Sequence, residues 1–321
     1  MSNSNWISVF GRDYYGGCKY SHESLDLNGS TAWVQMSGTT HWPRIYATST
    51  VSKQYFISVW ARSGYNSATS GLGHLLSQYV GGVGNNTDQY FRIAYEMVDG
   101  GTPRNLMHVT YRDDTSGGSN NMIERVYTLS GIKNTLITGA TGSNDYWIKG
   151  NTTETGGNIT TNSNDFVHLC AVLTIPPVNV SYGIAGNIDL YWNGQKLLDH
   201  DSYTKSGVAI SNGAVTYGAL GCDRSGSNGG FFTGQLDEIG TLEEYTSLGP
   251  FKTAYGLTTD QEVVDKLYNN GCPGDVTSHV NASNWAYDFY RFESPNKWDS
   301  EAGSDTITPQ GGATTTTDFH A

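Results

Sequence analysis

Apolar and polar residues alternate along much of this chain, and the period of the alternation is two. The clearest run is Phe166 to Ile175, where Val167, Leu169, Ala171, Leu173 and Ile175 fall on one face of an extended strand. Pro176-Pro177 ends it, because proline has no N–H to give to a ladder. Ile188-Asp189-Leu190-Tyr191-Trp192 alternates in the same way and runs into Asn193-Gly194, a pair suited to a two-residue hairpin turn, with Gln195 to Leu198 as the returning strand. Leu25-Asp26-Leu27 predicts a strand ending at Asn28-Gly29, and Phe231 to Ile239 predicts another. Tyr55 to Ala61 is almost continuously apolar, as a central strand would be. Leu106–Tyr111 and Ile123–Tyr127 read as two strands flanking a polar loop.

Helical spacing appears once, late in the chain. Thr259 and Glu262 match a capping box. Val263, Val264, Leu267 and Tyr268 recur at a spacing that gives one apolar face, and Asn270-Gly271 followed by Pro273 is a stop signal. Before and after this patterned middle the chain changes character. Residues 1–21 read as an arm whose aromatic residues are interrupted by Gly11, Gly16 and Gly17. Residues 275–321 read as a C-terminal extension: aromatic from Trp285 to Phe292, then polar, ending in a threonine run, with pairing to a sheet edge as one expectation for it. The sandwich-forming part is then 22–274.

Composition agrees with many strands joined by many turns. Among 321 residues there are 40 glycines and 21 tyrosines, and only 15% are charged. Tyr suits a pleated, half-buried surface, and Gly supplies turn conformations. The net charge of −12 and the total of 18 Lys plus Arg leave no footprint for phosphate backbones, so nucleic acid is not an expected partner. No apolar stretch is long enough to cross a bilayer, so no membrane insertion is expected. The start, Met1 to Trp6, lacks the basic and apolar regions of a secretory signal. Cys18, Cys170, Cys222 and Cys272 stand far apart with no metal or redox spacing, which makes buried free thiols the default reading and a disulfide the alternative.

The order of these motifs resembles the concanavalin A-like lectin/glucanase superfamily in its laminin G-like branch. The residues that carry the resemblance are Leu25 to Ser30, Ile57-Ser58-Val59-Trp60, Phe166-Val167-His168-Leu169, Leu190 to Gly194, Gly234 to Glu238, and Leu257 to Asn269. The resemblance implies an all-β fold: a two-sheet antiparallel jelly-roll β-sandwich with one short C-terminal-side helix and extended termini. Leu267 to Gly271 and the aromatic Trp285–Phe292 segment resemble versions found in tailed-phage and other virion proteins. In those the domain is often a capsid decoration, fibre or host-attachment module. The implied partners are other virion proteins, copies of the same chain (as in a trimer) and host surface glycans. The implied location is the virion surface, after synthesis in the host cytoplasm without a signal peptide.

Candidate chemistry is sparse. Glycan hydrolases on this fold place two carboxylates on one strand face, at i and i+2. Here the acidic pairs are adjacent, Asp237-Glu238 and Glu243-Glu244, so their side chains point to opposite faces and no catalytic residue is expected. Glu238 reads as a structural acceptor at a sheet edge, and His108 and His168 as hydrogen-bonded core histidines. Sugar binding uses aromatic rings rimmed by amides and carboxylates, and the candidate carbohydrate-binding residues are Tyr146, Trp147 and Tyr203. The family resemblance makes calcium the expected ion, with Asp223 and Asn228 as candidate ligands in the loop from Cys222, for which an Asx-type turn is the alternative. The resulting expectation is a non-enzymatic virion structural protein with a carbohydrate-binding-type sandwich. A polysaccharide-cleaving enzyme and a cement protein without ligand are the alternatives.

Overall fold

The computed structural model describes residues 23–36, 51–63, 71–80, 89–99, 102–113, 121–128, 166–175, 187–197, 199–204, 215–223, 229–246, 249–269, 271–277, 286–292 and 307–317. In chain order the strands are β1 (Glu23–Asn28), β2 (Trp33–Met36), β3 (Lys53–Ser63), β4 (Gly71–Val80), β5 (Gln89–Asp99), β6 (Thr102–Asp113), β7 (Asn121–Thr128) and β8 (Val167–Ile175). They continue as β9 (Asn187–Trp192), β10 (Gln195–Lys196), β11 (Asp199–Thr204), β12 (Val215–Leu220), β13 (Thr233–Tyr245), β14 (Ala286–Tyr290), β15 (Thr308–Gln310) and β16 (Thr314–Thr317). Two helices, α1 (Pro250–Tyr255) and α2 (Asp260–Tyr268), complete the described elements.

The strands form two antiparallel sheets. The first has the order β10-β9-β8-β3-β13-β1-β16, with β14 also paired to β13; the second has the order β11-β7-β6-β5-β4-β12-β2-β15. This is the two-sheet antiparallel jelly-roll sandwich that the resemblance implied. Val167, Leu169, Ala171, Leu173 and Ile175, the five residues picked out by period two, all lie in the core between the sheets. They meet Ile93, Met107, Val109 and Tyr111 of the second sheet in the same cluster. The Tyr127 hydroxyl donates to the Ile188 carbonyl at 3.0 Å, a tie between β7 and β9 across the sandwich. The Asn193-Gly194 turn has φ of 47° and 79° at its two residues, as a type I′ hairpin requires.

The outer face of the first sheet is apolar as well. Phe56, Cys170, Val172, Tyr191 and Leu242 are covered by Phe251, Val263, Val264 and Leu267 of the two helices. The predicted capping box is formed: the Thr259 hydroxyl accepts from the Glu262 N–H, and the Glu262 carboxylate accepts from the Thr259 N–H. Backbone N–H groups of Thr258 and Thr259, with both hydroxyls, hold the Glu262 carboxyl down to about 2. Helix α1 was not expected. It is only six residues long and has no side-chain cap of its own. Its start is instead held from the sheet by Glu244, whose buried carboxylate accepts the N–H groups of Gly249, Phe251 and Lys252. Burial pushes the Glu244 carboxyl up, and those N–H bonds and Lys252 push it back. The two helices are tied by Lys252, itself buried, whose Nζ donates to Asp260 Oδ1 at 2.7 Å and to Gln54 Oε1 at 3.2 Å.

Glu238 departs from its expected place. It lies on β13, an interior strand, at a register shift between Asp237 and Gly240, with φ of 45°. The bulge divides one side of β13 between two partners: residues before it pair with β1 and residues after it pair with β14. Glu238 is buried, with the Arg291 guanidinium 3.6 Å away. The described part of 275–321 joins both sheets, β15 at the edge beside β2 and β16 at the edge beside β1. Gly311 and Gly312 make the turn between them, and a Cβ at Gly311 would stand 1.8 Å from the Thr31 carbonyl oxygen. Cys170 and Cys222 are free and buried, as expected, but Cys272 is disulfide-bonded, which corrects the default reading for it. Cys18 lies outside the described residues.

Candidate functional site

The two described helices cover the outer face of the first sheet. On the outer face of the second sheet most of the described residues between the core positions of β5 and β6 are polar. In β5 the core residues Phe91, Ile93 and Tyr95 alternate with Arg92, Ala94 and Glu96. In β6, Met107 and Val109 alternate with His108 and Thr110. The register sets these outward residues side by side: Arg92 opposite Thr110, and Ala94 opposite His108 on one flank and His74 on the other. Arg92 Nε donates to Thr110 Oγ1 at 3.0 Å, and His108 Nε2 stands 2.7 Å from Glu96 Oε2. His108 is therefore not a core histidine. It lies in a carboxylate–imidazole pair on the outer face, with both side chains slightly exposed.

A β-bulge delivers His74 to this face. The register of β4 shifts between His74 and Leu76, so that Leu75 and Leu76 both enter the core while His74 stays outside. The His74 ring is held by Gly230, whose carbonyl oxygen lies 3.3 Å from Nδ1. Gly230 has φ of 51°, and a Cβ there would come within 2.6 Å of that same ring nitrogen, so glycine is required for the contact. Burial lowers the His74 pKa to about 4; Asp223 opposes that shift, and Arg92 and His108 add to it. The imidazole is thus neutral at ordinary pH. Its Nε2 is buried with no hydrogen-bond partner, 3.9 Å from Asp223 Oδ2. Beside this polar group lies a small apolar cluster of Trp33, Ala219 and Cys222, with Phe231 packed against it.

Asp223 is thus the one predicted site residue whose surroundings are described. Its backbone forms a two-way bridge with Gly229, and its carboxylate faces an imidazole. Among the described residues no three His, Cys, Asp or Glu side chains converge as a metal cluster. Asn228, Tyr146 and Trp147 lie outside the described residues. Tyr203 is on β11, where its backbone stands opposite Glu124, and Glu124 stands opposite Thr110, so Tyr203 falls in the register row of Arg92 and Thr110. The residues that sequence reasoning missed are His74, Arg92, Glu96, His108 and Thr110. For Arg92 and Glu96 a signal was available in the Phe91–Glu96 alternation, which reads as cleanly as that of β8.

The acidic pairs weighed for catalysis are spent on structure. Asp237 Oδ1 accepts the Glu238 N–H at 2.8 Å, Glu243 pairs with the buried Lys53, and Glu244 holds helix α1. A cleft of about 780 Å³ lies between the β9–β10 turn and α2. Its polar groups are largely engaged with one another: Gln261 Nε2 donates to the Gly194 carbonyl at 2.6 Å and to Asp265 Oδ1 at 2.8 Å, and Glu262 serves the cap. Below it, Tyr268 stacks on Trp60 and on His168, with ring centroids 5.9 Å apart in each case. His168 is fully buried, its Nε2 is 2.9 Å from the Ser58 hydroxyl, and burial brings its pKa down to about 3. This is the core histidine that the sequence suggested.

No family model matches the chain, and no curated protein matches it. Among solved structures it is similar to the IT-sialidase CBM40 of Ruminococcus gnavus bound to α2,6-sialyllactose, at 13% identity and a TM-score of 0.37, over 75% of this chain and 95% of that one. It is also similar to the leech intramolecular trans-sialidase complexed with 2,7-anhydro-Neu5Ac, at 15% identity and a TM-score of 0.36, over 76% of this chain and 27% of that one. The binding domain of Botulinum neurotoxin DC in complex with SialylT is similar at 12% identity and a TM-score of 0.33, over 78% of this chain and 47% of that one. At these identities and scores the likenesses carry no argument about what this chain binds.

Proposed function

We propose that this chain is a non-enzymatic carbohydrate-binding β-sandwich that works at a virion surface, as a capsid decoration, fibre or host-attachment module. The observation that carries the binding half is the outer face of the second sheet. There Arg92, Glu96, His108 and Thr110 form a cross-strand polar group on β5 and β6, held by the Arg92–Thr110 and His108–Glu96 contacts. Sugars offer hydroxyls to fixed donors and acceptors, so a group of this kind on an outer sheet face has matching chemistry. The engagement of Asp237, Glu238, Glu243 and Glu244 in structural contacts supports the non-enzymatic half. The virion half rests on the motif order and on the aromatic C-terminal segment described above. The partners proposed with it are other virion proteins, further copies of the chain and host glycans.

The test is a glycan array that carries neutral and sialylated glycans, probed with the full chain. Retention of a defined glycan is expected, with Arg92→Ala and Glu96→Ala each weakening it at least tenfold. No retention at high protein concentration would remove the glycan reading and leave a structural protein without ligand. Immunogold labelling of purified particles tests the virion reading separately, because a protein absent from particles cannot decorate them.

A further inference from the structure

We infer that the cleft between the β9–β10 turn and α2 is a binding site for one ring of a neutral saccharide. Its volume of about 780 Å³ falls in the range of small-molecule sites, about 300–1,000 Å³. One of its walls is aromatic. Tyr268 lines the cleft, half-buried, and its ring is held in place by stacking on Trp60 and His168. A pyranose has a face made of C–H groups, and that face packs on a fixed aromatic ring as another apolar surface would. Gly194 keeps the ring uncovered. A Cβ at Gly194 would stand 3.0 Å from Tyr268 Cδ1 and 3.6 Å from Cε1, so any side chain there would press on the ring.

The polar rim is fixed and has oxygens to spare. Gln261 joins the two walls, its Nε2 donating to the Gly194 carbonyl at 2.6 Å and to Asp265 Oδ1 at 2.8 Å. Those bonds orient both side chains and use only the amide N–H groups of one and a single oxygen of the other. Gln261 Oε1, Asp265 Oδ2 and the Tyr268 hydroxyl have no hydrogen-bond partner among the described residues. Each of these oxygens accepts a hydrogen bond, and a sugar carries a hydroxyl donor at nearly every ring carbon. Charge then selects a neutral guest. Lys196 and Lys266 line the cleft together with Glu262 and Asp265. Lys196 Nζ is 2.8 Å from Asp189 Oδ2, Lys266 Nζ lies 4.7 Å from the centre of the Tyr255 ring, and the Glu262 carboxylate serves the cap. An anion would meet the carboxylates and a cation the ammonium groups, whereas a neutral polyol meets neither repulsion. This cleft lies against the first sheet and does not rest on the glycan reading of the second.

The experiment is an NMR titration of the full chain, isotope-labelled in its tyrosine rings. The probes are the methyl glycosides of galactose, mannose and glucose, with the methyl glycoside of N-acetylneuraminic acid and tetramethylammonium chloride in parallel, each taken to high millimolar concentration. At least one neutral glycoside is expected to move the Tyr268 ring signals saturably, at least tenfold more tightly than either charged probe. Asp265→Asn and Gln261→Ala should each weaken that binding at least fivefold while circular dichroism shows an unchanged sandwich. Arg92→Ala, on the second sheet, should leave it as it was. Tyr268 signals unmoved by every neutral glycoside, a charged probe that binds as tightly as the best neutral one, or undiminished binding in Asp265→Asn would overturn the inference. A Tyr268 response that survives Arg92→Ala stands whether or not the second sheet retains a glycan, so the two readings fail separately.

Discussion

Single side chains on β13 decide how the outer layers attach to this sandwich. Glu244 is a carboxylate inside an apolar layer, and it is tolerated because three helix N–H groups converge on it. Glu244→Ala would leave those donors buried without an acceptor, and equilibrium urea unfolding should show a loss of about 2–3 kcal/mol. Gly240 is constrained by space: a Cβ there would stand 2.3 Å from the Phe289 ring, which is itself locked in the helix-side cluster. Gly240→Ala should therefore cost about 1–3 kcal/mol in the same assay, with β14 displaced. His168 adds a pH dependence. Its unfolded value is 6.5 and its folded value is about 3, so the unfolded chain binds more protons between those limits. Stability is then full above pH 6.5 and falls as the pH drops toward 3. Between pH 7 and pH 4.5 the loss from this residue is about 2–3 kcal/mol. It should be read as the part of the acid slope that disappears in His168→Gln.

At the level of elements, the two helices show opposite ways to begin. Helix α2 carries its own cap, and Thr259→Ala should lower stability by about 1 kcal/mol in urea melts. That helix was legible in the sequence because a capping box is local, with all of its partners within four residues. Helix α1 was not, because the acceptor for its N–H groups sits on the preceding strand and is brought there by tertiary packing. The same contrast runs through the strands. The core face of β8 could be read from period two alone, as could the Asn193-Gly194 turn, since both are set by nearest neighbours. The polar row of β4, β5 and β6 could be read only as separate half-polar strands, because the register that sets Arg92 beside Thr110 and Ala94 between two histidines is long-range. The bulge that re-aims His74 has no local signature at all in Gly73-His74-Leu75-Leu76. The aromatic candidates were chosen for standing in or beside predicted loops, a criterion that says nothing about register; Tyr203, whose backbone is described, falls in the row of Arg92.

For the molecule as a whole, the sandwich is closed by its last described residues. β15 completes the second sheet and β16 the first, with Ile307 and Ala313 buried in the common core. Removing residues 307–321 would bare one edge of β1 over Glu23–Asp26 and one edge of β2 over Trp33–Gln35, and leave those two core positions empty. Thermal unfolding of that truncation should begin at clearly lower temperature than in the full chain, and light scattering should show association through the bared edges. The pairing of Glu23 with Thr317 spans nearly the whole sequence. A contact of such long range forms late and slows folding. While the chain is being made, the earliest described strand therefore waits without its outer neighbour until residues 314–317 have emerged. In that interval the nascent protein is most open to pairing with another copy of itself, and most in need of a chaperone's cover.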